Sequence, residues 1–203
     1  MDSDAPKGTP SAPGPDEEGL SVPRTPLRSG TRIGLIADTH GSLDPDVVKL
    51  FAGVDHIVHA GDVGKRGVLR RLEKIAPVTA VAGNTDSGKL AKELPQQALG
   101  ECGGVRFLVA HKPKHLKHLL RKGIPDGIDL IVTGHLHEPT VHWEDDVLRV
   151  NPGTASSPEE GDPGPTVAVV SVSEGRLSAT FMPVRPAGPA GRKPPAVGGG
   201  TSE

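Results

Sequence analysis

Thr31-Arg32-Ile33-Gly34-Leu35-Ile36-Ala37-Asp38-Thr39-His40 runs from a short apolar, β-branched stretch straight into an acid and an imidazole. Residues 31–37 read as a buried β-strand, so Asp38 and His40 fall where that strand ends. The arrangement recurs four times. Residues 56–60 lead into Gly61-Asp62, 78–82 into Gly83-Asn84-Thr85-Asp86, 105–110 into His111, and 128–133 into Gly134-His135-Leu136-His137. Alternation along an extended segment predicts that residues i and i+2 face the same way, so Asp38 with His40 and His135 with His137 should each present two groups to one volume. The glycines beside these groups allow tight turns with positive φ.

Helical signals separate the strands. Asp44 is placed to cap a helix opened by Pro45 and running to about 51, and Val68, Leu69, Leu72 and Ile75 recur at helical spacing within 67–75. Alternating strands and helices predict right-handed βαβ units with parallel strands. From Gln97 the pattern changes to a hairpin turning at Gly103-Gly104. A helix opened by Pro113 follows, with Leu116, Leu119 and Leu120 on one stripe and Gly123 closing it. The rest reads as hairpins, 140–144 against 147–150 and 166–172 against 177–182 around Glu174-Gly175. This is an α/β chain with two packed sheets and helices outside, its shared site at the C-terminal ends of strands.

Residues 1–30 hold six prolines and few apolar side chains, and 184–203 are again rich in Pro and Gly. Such segments bury too little to offset their ordering entropy, so disordered tails are expected around a single domain spanning 31–183. With no Tyr, three Phe and one Trp, the aromatic platforms of single-strand nucleic-acid binders are missing, and a net charge of −2 gives no general polyanion surface. The lone Cys102 excludes an intrachain disulfide and fits a reducing compartment. No leader-like or membrane-spanning apolar run is present, so a cytoplasmic location is expected, without membrane or nucleic-acid partners.

Asp38, His40, Asp62, Asn84, His111, His135 and His137 form a set of seven oxygen and nitrogen ligands. Singly, each has an ordinary role as helix cap, turn residue or satisfied polar group. Together they describe a two-metal site, in which ions about 3.5–4 Å apart need a bridging carboxylate. The order and spacing resemble the calcineurin-like metallophosphoesterase superfamily, particularly its small single-domain bacterial and archaeal phosphodiesterases, a branch that includes the smallest retromer subunit. The resemblance covers about 31–183 and includes Asn151-Pro152-Gly153-Thr154. The chain has only two asparagines, and both lie in these motifs.

The resemblance implies a four-layer α/β/β/α sandwich with two mixed sheets. It assigns Asp38, His40 and His137 to one metal, Asn84, His111 and His135 to the other, and Asp62 to both, with Asp62, Asn84 and His111 as the catalytic residues. The implied activity is hydrolysis of a small phosphoester, a diester above others, by in-line attack of a hydroxide held between two divalent ions. Carboxylate, imidazole and amide donors without thiolate suit Mn²⁺, with Ni²⁺, Fe or Zn²⁺ as alternatives. A homo-oligomer is compatible with this reading. A protein-binding scaffold of the same fold is the rival, and a nuclease a weaker one. His56, His59, His115, His118 and His142 match no ligand position and are expected in structural roles. Thr85 stands where many relatives carry a histidine that helps the leaving group depart, which favours the diesterase branch. Lys112 replaces a common glycine; it and Lys114 either hold substrate phosphate or belong to a solvated helix face.

Overall fold

The computed structural model describes residues 24–120, 124, 126–156 and 164–184, the side chains of 117–120 excepted. The first sheet is built on β1 (Arg32–Ile36), β2 (His56–His59) and β3 (Val78–Ala80), all parallel, with β9 (Thr166–Ser173) and β10 (Arg176–Pro183) added antiparallel beside β1. Its strand order is β10-β9-β1-β2-β3. The second sheet contains β4 (Gln97–Cys102), β5 (Val105–Ala110), β6 (Leu130–Val132), β7 (Pro139–Glu144) and β8 (Val147–Pro152) in the order β4-β5-β6-β8-β7. Here β5, β6 and β8 are parallel and the two outer strands antiparallel, so both sheets are mixed, as expected.

Strand alternation divides the core into layers. Ile33, Leu35 and Ala37 point between the sheets, against Phe107, Leu130, Leu148 and Val170. Ile36 and Ile57 face the other way, onto Val47 and Phe51 of the α1 region (Pro45–Leu50) and Leu69 and Leu72 of α2 (Arg66–Leu72). Leu116 of α4 (Pro113–Leu120) covers Leu108 and Ile131 on the outside of the second sheet. A strand buried on both faces needs apolar residues at consecutive positions, which is why 31–37 reads as a continuous run. No helix among the described residues is long and apolar enough to cross a membrane.

Several local expectations hold in detail. The Asp44 side chain accepts from the Asp46 amide at 3.0 Å, and Glu174 and Gly175 both take positive φ in the β9–β10 turn. Others shift: β3 stops at Ala80 rather than 82, β6 spans Leu130–Val132 rather than 128–133, and α2 ends at Leu72 rather than 75. A short helix, α3 (Gly88–Glu93), was not expected; with Leu90 as its one buried side chain, it has no apolar periodicity to read.

Packing begins before the expected boundary at 31. Arg24 pairs with the mostly buried Asp129, Leu27 lies against the inter-sheet core, and the Arg28 amide donates to the Gly103 carbonyl at 2.8 Å. The expected disorder of 1–23 and 185–203 lies outside the described residues. A chain trimmed to 24–184 should match the full chain in urea unfolding, whereas one beginning at 31 should lose about 1–3 kcal/mol through exposure of Leu27 and loss of these bonds. Equal midpoints for the two trimmed chains would show that 24–30 contribute nothing.

Candidate metal centre

The five motifs occupy the loops after β1, β2, β3, β5 and β6, and backbone hydrogen bonds draw these loops together. Asp38 N donates to Gly61 O at 3.0 Å, His40 N to Asp62 O at 3.0 Å, and Gly134 N to His111 O at 3.0 Å. Such close approach excludes side chains at the neighbouring glycines: a Cβ on Gly83 would lie 1.9 Å from Asp62 Oδ1, and one on Gly61 would lie 2.6 Å from His111 Cβ.

All seven expected ligands come together. Ligand atoms of Asp38, His40 and His137 lie within 4.8 Å of one another, as do those of Asp38, Asp62 and His111. His111 Nε2 is 3.0 Å from Asn84 Oδ1, and the His111 and His135 rings are 5.2 Å apart. Asp38 is therefore common to both clusters, whereas the sequence reading gave the shared position to Asp62.

The backbone presents these groups differently from expectation. β1 ends at Ile36 and β6 at Val132, and Asp38, His40, His135 and His137 have φ of 55, 44, 73 and 56°. Extended alternation does not apply there. Asp62 shares the feature at 53°, so five of the seven groups sit in left-handed backbone. That conformation costs an L-residue about 1–2 kcal/mol and persists where surrounding bonds over-determine it, often at functional sites. Exposed His40 offers a test, because its amide bond to Asp62 survives substitution. His40→Gly should raise the unfolding midpoint of metal-free protein by about 2–4 °C, the shift expected for about 1 kcal/mol in a domain of this size, while weakening metal binding. A lower midpoint would mean that the backbone there is unstrained.

The electrostatics fit a bound cation. Asp38 is fully buried, its Oδ2 accepts from the His135 amide at 3.1 Å, and its Oδ1 makes no hydrogen bond but faces His137 Nε2 at 3.5 Å. Burial raises the Asp38 carboxyl above the ordinary range, and nearby Asp62 adds to this while His111 opposes it. For Asp62, burial acts upward, but hydrogen bonds from His111 and the Thr85 amide outweigh it and hold the carboxyl well below the usual range. Burial disfavours a charged His111, yet its bonds to Asp62 and the Ala60 carbonyl raise its pKa. Its Nδ1–H donates to Ala60 O at 2.8 Å, which turns Nε2 toward Asn84 and Asp62, the orientation a metal-ligating imidazole needs. Two buried carboxylates facing histidine nitrogens form a donor set that a divalent ion would fit, displacing protons as it bound.

Supporting residues around the ligands also emerge, and His59 is among them in the structural role expected of it. Asp86 accepts from the amides of Gly83, Gly64 and Val63 at 2.8, 2.7 and 3.2 Å, tying the β2 and β3 loops. Buried His59 lies 3.0 Å from the Thr39 hydroxyl, which donates to Val63 O; burial lowers its pKa to about 4, so it serves as a neutral brace. Asn151 donates to Gly134 O and Thr154 to Asp38 O. The signal for all four was their place inside or beside the motifs. His56 bonds Thr79 and is structural, as expected. Lys112 is half-buried and directly follows His111 in the chain.

A family model described as the calcineurin-like phosphoesterase superfamily domain matches residues 31–175. The chain belongs to this family. A probable metallophosphoesterase of Methanothermobacter thermautotrophicus is 31% identical over 159 residues, covering 74% of this chain and 91% of that relative. A phosphodiesterase of Methanocaldococcus jannaschii is 28% identical over 140 residues, 60% of this chain and 82% of the relative. The solved structure of Vacuolar Protein Sorting 29 from Cryptosporidium parvum aligns with a TM-score of 0.57 at 21% identity, covering 76% of this chain and 97% of that one. That likeness is one of fold. Within the calcineurin-like domain, the Asp and His clusters occupy the loops at the strand C-termini of both sheets.

Proposed function

We propose that this metallophosphoesterase hydrolyses a small phosphodiester in the cytoplasm with two divalent ions, Mn²⁺ above Ni²⁺, Fe or Zn²⁺, held by Asp38, His40, Asp62, Asn84, His111, His135 and His137. The observation that carries the reading is the fully buried Asp38 carboxylate at the junction of the two clusters, whose Oδ1 makes no hydrogen bond and faces His137 Nε2 at 3.5 Å. When bound, the ions supply positive charge to the phosphoryl oxygens and make a water acidic enough to attack phosphorus. The protein's part is pre-organisation. The Ala60 carbonyl fixes the His111 tautomer, and the Thr85 amide, donating to Asp62 Oδ1 at 2.8 Å, helps keep Asp62 ionised. Half-buried Lys112, next in the chain after His111, supplies a cation with which a phosphate oxygen can be held.

Thr85 supports the choice of diesters. Its hydroxyl lies 3.4 Å from His40 Nδ1, at the edge of the cluster, and offers no acid of useful pKa for a poor leaving group. A scaffold needs no complete ligand set, and all seven groups are present. Screening metal-loaded protein against aryl diesters and alkyl monoesters tests the proposal: preferential turnover of the diesters supports it, and no turnover of any phosphoester favours the scaffold.

A further inference from the structure

A hollow of about 180 Å³ lies on the outer face of the second sheet, immediately beside the candidate centre. Its floor is Leu116 and Ile131, both essentially inaccessible, and its walls include Pro113 and Leu136. Leu136 is 60% exposed although it sits between His135 and His137, one Cα step of about 3.8 Å from each. Pro113 likewise follows His111 by two residues. An exposed leucine held between two proposed ligands has no packing reason to be there.

We propose that this hollow is the specificity subsite for one ester arm of the substrate, and that the arm carries a flat heteroaromatic ring of the nucleobase type. The inference rests on the diesterase reading above. Pockets that enclose a whole drug-sized ligand run to about 300–1,000 Å³, so this volume admits one ring rather than a complete molecule. The floor is apolar and suits a ring face. The margin is polar: the side chains of Thr133, Thr140 and His142 line it, and none of the three makes a side-chain hydrogen bond among the described residues. The ion pair of Glu144 with Arg149 borders the same hollow. A plain aryl group would leave those polar groups unused, whereas a heteroaromatic edge pairs with them.

The test compares thymidine 5′-(p-nitrophenyl) phosphate with methyl p-nitrophenyl phosphate, which share a leaving group and differ only in the other arm. Full-length, metal-loaded protein should favour the thymidine ester at least tenfold in kcat/KM, through KM. Thr140→Trp, a change at an exposed edge-strand position, should fill the hollow and remove that preference while leaving the methyl ester within twofold; Leu136→Ala should reduce it. Equal rates for the two esters in the parent protein, or equal losses on both in Thr140→Trp, would overturn the subsite. Thymidine alone, which has no phosphate for the metal centre, separates this proposal from the diesterase reading. Shifts in the Leu136, Thr140 and Val150 amide resonances that vanish in Thr140→Trp support the ring site even if no ester is hydrolysed, and silent amides in the parent protein refute it.

Discussion

Asp62→Ala is expected to lose both metal ions and nearly all hydrolysis, a fall on the order of 10³-fold or more, while the domain stays folded. Asp62 is 2% exposed and lies beside Asp38 and His111, so its carboxylate belongs to the most buried part of the cluster. Removing it leaves His111 Nε2 without its acidic partner and halves the carboxylate charge available to divalent ions. The fold should tolerate the change. Asp62 adds to the upward pressure on the Asp38 carboxyl, so the metal-free variant is relieved of one buried repulsion, and the loop remains tied through Asp86 to Gly64 and Val63. Elemental analysis, hydrolysis rates and thermal unfolding of the same preparation check all three parts. A variant that keeps its metal and turnover would remove Asp62 from the centre, and Asp38, common to both clusters, would become the bridging candidate.

Thr85→His is expected to raise activity toward poor leaving groups by about 10²-fold or more, and toward activated aryl diesters by much less. General acid assistance is typically worth about 10²–10⁴-fold, and p-nitrophenolate needs little of it. The geometry suits the exchange. The Thr85 amide donates to Asp62 Oδ1 at 2.8 Å, and its hydroxyl lies 3.4 Å from His40 Nδ1, so a ring on this exposed Cβ starts at the margin of the cluster. Matching bis(p-nitrophenyl) phosphate against an alkyl monoester in both proteins gives the selectivity change directly. If the parent already cleaves the alkyl monoester as fast as the aryl diester, another group supplies the proton and Thr85 does not set the preference.

Local patterns made much of this molecule readable. The apolar run ending at Asp38, the Asp44 cap with Pro45, and Glu174-Gly175 between alternating strands each carry a short-range signal, because cap and turn chemistry is decided within a few residues. The gathering of the seven groups was legible too, since strand ends followed by Asp, Asn or His point to one edge of the sheets. Their backbone was not. Left-handed φ at Asp38, His40, Asp62, His135 and His137 is held by bonds such as His40 N to Asp62 O and His135 N to Asp38 Oδ2, which join residues far apart in sequence. The same limit hid the threefold acceptor role of Asp86 and the His59–Thr39 brace. Placing β8 between β6 and β7 depends on inter-strand packing that no single segment encodes.

Metal titration followed by turnover tests the two-metal esterase most directly. Full-length protein stripped with a chelator and titrated with Mn²⁺ should hydrolyse bis(p-nitrophenyl) phosphate at a rate that climbs until two equivalents are bound and then levels. A plateau at one equivalent, or no hydrolysis at any ratio, would contradict it.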